Sequence, residues 1–296
     1  MTRAKKRGVN RANLYGYILV APMVLGICVF IIYPMLMALN FSFHRTDGVT
    51  GVFVGLNNYI WLFQDNLFWQ AMYNTILMAF LSVVSGVTIC FILASLINSL
   101  SRGKNFFKCL FFLPNVVSIV AATILFTFVL HPTQAGLVNA FLGIFGIAPL
   151  PWFSHPAFAP YSIVLLNLWR SFGYDTIIFL AGLQSVPREL YEAANVDGAN
   201  ALKRWWYITV PSMRPVLFFV IIMYTINSLR RINDVLLIGG VAGNPGGALQ
   251  TIVLYIYRNA FTAGQVGLAS AAAYALFIVC LSFTFINYRI MKAGEK

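Results

Sequence analysis

Five ionisable side chains stand in or beside long apolar runs of this 296-residue chain. Arg170 and Asp175 lie within NLWRSFGYDT, and Arg230, Arg231 and Asp234 lie where a later apolar run ends. A charge in such surroundings is costly, so it meets an opposite charge or faces a polar cavity. Arg170 and Asp175 are five residues apart, which on an α-helix is a rotation of about 500°. They therefore sit obliquely and pair imperfectly. A mutual ion pair, a pair with another subunit and a cavity-facing role all stay open on spacing alone. Polar and aromatic groups cluster around both sets: Asn167, Trp169, Ser171 and Tyr174 around the first, Tyr224, Asn227, Ser228 and Asn233 around the second. Other chemistries find no support. Cys28, Cys90, Cys109 and Cys280 fit no zinc or redox spacing. His44, His131 and His155 show no H-E-x-x-H pattern, and no G-x-x-x-x-G-K-[ST] nucleotide loop occurs.

The elements that must position these groups are membrane spans. Hydrophobic residues make up 60% of the chain and charged residues only 9%, against about 25% charged in soluble domains. Mean hydropathy is +0.79. Apolar runs long enough to cross a bilayer are expected at about 17–41, 73–97, 109–130, 158–184, 213–236 and 266–288, with Pro34 kinking the first. The basic lead resembles a signal peptide, but the uncharged run from Leu14 to Phe43 greatly exceeds the usual apolar core of one. Between the first two spans, GLNNYIWLFQDNLFWQ interleaves aromatics with polar residues, as in a short helix lying at the membrane interface.

The net charge of +12 is spread over short loops and termini, which argues against nucleic-acid binding and for orientation signals. Residues 1–13 carry Arg3, Lys5, Lys6, Arg7 and Arg11. The 102–108 loop carries three bases, the 185–211 segment and its edges carry Arg188, Lys203, Arg204 and Arg214, and the C-terminus carries Arg289, Lys292 and Lys296. Residues 131–157 have no Lys or Arg. The positive-inside rule then puts both termini and the 185–211 loop in the cytoplasm.

That loop contains ELYEAANVDGANALKRWWYITVP, the one long polar, helix-forming stretch between two spans. Pro187 suits a first helical turn. Glu189 and Glu192 follow near the positive helix end. Gly198 permits a sharp turn, Asn200 can cap a second short helix, and Pro211 is expected to end the element. Physics alone allows either an amphipathic connector on the headgroups or a docking surface.

Glu192-Ala193-Ala194, three residues, Gly198, nine residues, Ile208, one residue and Val210-Pro211 resemble the EAA loop of ABC-importer permeases, EAA-x3-G-x9-I-x-L-P, with Val210 for Leu. GYILVAPMVLGICVFIIYPMLMALNFSF, FVGLNNYIWLFQDNLFWQAMYNT and YIYRNAF are similar to the maltose/glycerol-phosphate type of sugar permease. The resemblance implies an all-α polytopic membrane protein with the type I importer permease fold: a basic tail, 1–13, and a single six-span domain, 14–296. In that family the loop docks on the ATPase, which assigns coupling to Glu189, Glu192, Ala193, Ala194, Asp197, Gly198, Ile208 and Pro211. It further implies two ATPase subunits that bind ATP and Mg, no cofactor in this chain, a second related permease, an extracytoplasmic binding protein, and a multi-pass place in the bacterial inner membrane. The outward loops, including 131–157 and 239–262, are the expected docking surface for the binding protein.

In those permeases the stretch matching Asn167, Trp169, Arg170, Ser171 and Tyr174 lines a sugar site. Trp and Tyr can stack on sugar faces, and Asn and Ser can bond hydroxyls. Arg170 in place of a neutral residue favours a carboxylate or phosphate, and Arg230 and Arg231 point the same way. The expected cargo is thus a saccharide, with an acidic oligosaccharide or sugar phosphate as the sharper form. The competing class is an ion-coupled secondary transporter using Arg170 and Asp175, although no paired broken helices are evident.

Overall fold

A computed structural model describes residues 11–100 and 102–293. The basic residues Arg3, Lys5, Lys6, Arg7 and Lys296 lie outside that range. The first span is the helix α1 (Tyr15–Ser42). Pro34 does not break it. A π-turn at Cys28–Ile32, in which the Tyr33 N–H donates to the Cys28 carbonyl, widens the backbone just ahead of the proline. None of the most apolar stretch of α1 is buried within the chain. Only its last turns meet the bundle, where the Tyr274 hydroxyl donates to the Met35 carbonyl at 2.6 Å.

The expected loop after α1 contains a small hairpin, β1 (His44–Thr46) and β2 (Gly51–Phe53), in antiparallel register His44↔Phe53. Helix α2 (Asn57–Gln64) follows. Asp65 then caps α3 (Asn66–Ser99), accepting from the Leu67 N–H at 2.8 Å. That cap starts the second span seven residues ahead of the expected 73 and makes α3 about 51 Å long at 1.5 Å per residue.

The third span is the main departure from the expected straight rod at 109–130. It is two helices, α4 (Lys104–Val116) and α5 (Ile119–Val129), bent by 97°. Pro114 withdraws a donor from the last turn of α4, Val117 is extended, and the Ser118 hydroxyl accepts from the Ala121 N–H at 3.2 Å to start α5. With this pair counted once, six segments among the described residues are long and apolar enough to cross a membrane.

After the short helix α6 (Leu137–Ile144), α7 (Ala159–Gln184) runs the length of the bundle against α3. Gly173 lets α4 cross it backbone to backbone, since a Cβ there would collide with the Phe111 carbonyl and Phe112 Cα. Gly173→Val is expected to lower stability by about 1–3 kcal/mol, read as a drop in unfolding temperature of the detergent-purified protein. An unchanged temperature would show that α4 does not sit in this contact.

The expected helix–turn–helix of residues 185–211 is present as α8 (Arg188–Val196) and α9 (Ala201–Arg204). Two details differ. Pro187 caps α8 from outside rather than opening its first turn. Pro211 does not end the element: α9 passes through a π-turn (Trp205–Thr209) and a turn at Val210–Ser212. The Met213 N–H, donating to the Thr209 carbonyl at 3.0 Å, carries the backbone on to α10 (Arg214–Leu229). The fifth span breaks at residues 230–232 and resumes as α11 (Asn233–Gly239). A glycine-rich turn leads to the short, largely buried α12 (Ile252–Tyr257), tied to the start of α3 by the Tyr255 hydroxyl donating to Asp65 at 2.7 Å. The last span is α13 (Val266–Ala293).

Candidate functional site

Midway along α7 a cavity of about 690 Å³ opens between α7, α10, the bend of the third span and the break of the fifth. α7 contributes Asn167, Arg170, Ser171, Tyr174 and Asp175, and α10 contributes Tyr224, Asn227 and Ser228. The 230–234 break adds Arg230, Arg231, Asn233 and Asp234. Trp169 is the exception among the expected site residues. It turns away from the cavity and packs on Phe126, with ring centroids 5.3 Å apart. Three polar residues join the wall that sequence reasoning missed: Ser82 from α3, and Asn115 and Ser118 from the bend. Asn115 and Ser118, closely following Pro114 in an apolar run, were the available signal for the bend.

The charges divide into two sets. Arg231 is only 8% exposed and is paired internally through both terminal nitrogens, its Nε alone having no partner among the described residues. Its Nη1 lies 3.0 Å from the Asp234 carboxylate and its Nη2 donates to Ser82 at 3.0 Å, while its carbonyl accepts from Thr251 at 3.0 Å. Asn167 donates to the same Asp234 carboxylate. One ion pair thus joins α3, α7, the break of the fifth span and the start of α12. This corrects the grouping of Arg231 with Arg230 as open cations. Arg170 and Arg230 form the second set. Neither has an ion-pair partner among the described residues, and the Arg170 Nε is buried with no hydrogen-bond partner. The Arg170–Asp175 pair left open by spacing does not form. Asp175 is instead in reach of the hydroxyls of Ser171 and Tyr224, which themselves lie 3.3 Å apart. The Tyr224 ring fits because Gly86 on α3 leaves it room.

The second candidate site is the α8–α9 loop, at the far end of α3 from the hairpin. Gly198 has φ +72° and open space around it, and the Asn200 side chain accepts from the Lys203 N–H at 2.9 Å. Glu189, Glu192, Ala193, Asp197 and Gly198 are exposed, Ala194 is half-buried, and apolar Val196 and Leu202 stand 89% and 66% exposed. Ile208 and Pro211 are half-buried at the root of the loop. The root is held firmly. The Tyr191 and Thr209 hydroxyls are 3.0 Å apart, Trp205 Nε1 donates to Ser95 at 3.0 Å, and the Trp205 ring lies 5.4 Å from Phe91.

Residues 86–293 match the family described as the binding-protein-dependent transport system inner membrane component. The chain belongs to this family. It is the membrane-spanning permease subunit of an ABC importer, not an enzyme in its own right. Among its relatives, the arabinooligosaccharides transport system permease protein AraP of Bacillus subtilis is 33% identical over 275 residues, covering 93% of this permease and 87% of AraP. The sn-glycerol-3-phosphate transport system permease protein UgpA of Salmonella typhimurium is 31% identical, covering 98% of both chains. A chain of the bacterial alginate ABC transporter, solved in complex with an alginate pentasaccharide-bound periplasmic protein, superposes with a TM-score of 0.79 at 25% identity, covering 95% of the permease and 96% of that chain. The bend of the third span and the break of the fifth both open onto the cavity of this permease.

Proposed function

We propose that the permease carries a saccharide through the cavity beside α7, by alternating access powered at the α8–α9 loop. The observation that carries the cargo class is the cavity wall itself. Ser171, Tyr174, Tyr224, Asn227 and Asn233 present hydroxyls, amides and ring faces midway along the spans, the mixture that orients a polyhydroxylated ligand. The relative AraP is named for arabinooligosaccharides, which are saccharides, and UgpA for sn-glycerol 3-phosphate, a smaller hydroxylated solute, and both suit such a wall. In this reading α8 docks on an ATPase subunit through its exposed face, with Glu192, Ala193, Ala194 and Gly198 at the contact and Val196 covered by the partner. Two such ATPase subunits hold the ATP and Mg, and a second related permease completes the path. An extracytoplasmic binding protein loads it, and both termini of this chain face the cytoplasm.

The test is uptake by proteoliposomes holding the full complex and its binding protein. Saccharide should accumulate only with ATP on the ATPase side and should continue after a protonophore collapses the proton gradient. Uptake that stops with the gradient and ignores ATP would instead favour the ion-coupled reading through Asp175.

A further inference from the structure

We infer that the cargo carries an anionic group, and that Arg170 and Arg230 are the side chains that receive it. The inference rests on the reading of the cavity as a saccharide path and sharpens it.

Five charged side chains face the cavity: Arg170, Arg230 and Arg231 against Asp175 and Asp234. Arg231 and Asp234 cancel each other at 3.0 Å. What remains is two guanidiniums and one carboxylate, and that carboxylate lies on the side of Ser171 and Tyr224 and forms no ion pair with Arg170. Arg170 is thus a cation midway along a membrane span whose natural partner, five residues on, has not taken it. Its Nε has no hydrogen-bond partner among the described residues, as is also true of Arg231, but unlike Arg231 it has no counter-charge there either. The half-buried guanidinium therefore faces the cavity as an uncompensated cation, which an anion completes favourably. The planar fork of arginine matches the two oxygens of a carboxylate or the face of a phosphate. The start of α5, Ser118 and Ile119, opens on the same cavity and adds the positive end of a helix to the field. The acidic group then lies towards Arg170 and Arg230, leaving the sugar hydroxyls to Asp175, Tyr224 and Asn227.

Direct binding to the purified full transporter, without the binding protein, keeps that protein's own selectivity out of the measurement. Calorimetric titration would use trigalacturonate, glucose 6-phosphate and maltotriose as probes. At least one anionic probe is expected to bind roughly tenfold or more tightly than maltotriose, the worth of one charge-assisted bond, and the preference should shrink as salt is raised. Arg170→Gln should remove most of that preference and Arg170→Lys should restore part of it. Arg230→Gln should weaken it, and Asp175→Asn should increase it. The stronger of the two anionic probes assigns the group as carboxylate or phosphate. Maltotriose binding as tightly as both anions, or a preference that survives Arg170→Gln together with Arg230→Gln, overturns the anionic cargo while leaving the saccharide reading intact. Binding of none of the three probes by a transporter that still hydrolyses ATP overturns the saccharide reading, and this inference with it.

Discussion

Asp234→Ala is expected to lower the stability of the permease by about 3–5 kcal/mol, the cost of leaving a buried charge without its partner. The reason is the number of elements that one carboxylate holds together. Asp234 neutralises Arg231, accepts from Asn167 on α7, and accepts from the Val235 N–H at 3.0 Å in the first turn of its own helix. Arg231 in turn reaches Ser82 on α3 and, through its carbonyl, Thr251 ahead of α12. Removing the carboxylate strands the guanidinium, only 8% exposed, among these groups. The measurement is thermal unfolding in detergent, together with the yield of folded protein. Arg231→Met combined with Asp234→Leu should recover at least half of the loss, because no unpaired charge is left behind. A single variant as stable as the native chain would mean that the pair is not the strut described above.

The second large effect is expected at the root and tip of the α8–α9 loop. Gly198 occupies φ +72°, which a β-branched residue adopts only with strain. None of the described residues crowds the position, so the penalty falls on the backbone turn and on whatever docks there. Gly198→Val should cut substrate-stimulated ATP hydrolysis of the full complex by roughly tenfold or more, about 1.4 kcal/mol or above in coupling, while Gly198→Asn, a residue that tolerates the left-handed region, should keep most of it. Trp205→Ala acts at the root. It removes the ring against Phe91 and the bond to Ser95, the links between the loop and α3. Cys90, the neighbour of Phe91, touches the Tyr224 hydroxyl at 3.8 Å in the cavity wall. The complex should still assemble and hydrolyse ATP, but move less cargo for each ATP consumed. Unchanged transport per ATP would show that the loop drives the cavity by another route.

Much of this architecture was readable before any coordinates. Length and hydropathy locate six crossings, because a lipid core demands long apolar runs whatever they pack against. The helix–turn–helix from Glu192 to Pro211 is legible because turn residues such as Gly198 and caps such as Asn200 act locally, whereas its docking role is what the family resemblance implies. What stayed hidden depends on partners far away in the chain. The bend at Val117 and Ser118 needs the third span to fold back over the cavity, and hydropathy averaged over twenty residues runs straight across it. Trp169 and Arg170 are adjacent in sequence yet face Phe126 and the cavity respectively, a difference of helix face that a list of polar and aromatic residues cannot show. The three arginines looked equivalent because the pairing of Arg231 with Asp234 depends on the break of the fifth span between α10 and α11, which no local signal announced.

The cavity wall is thus divided between residues already engaged in holding the bundle and residues with no such duty. That division has a consequence for how the permease can change over generations. Arg231 and Asp234 are locked into joint inheritance, since losing either alone injures the fold. Arg170 and Arg230 make no ion pair among the described residues, so either can be exchanged in a single step at far smaller cost to the fold. A lineage built on this scaffold can shift from one nutrient to another at those two positions while its framework stays unchanged.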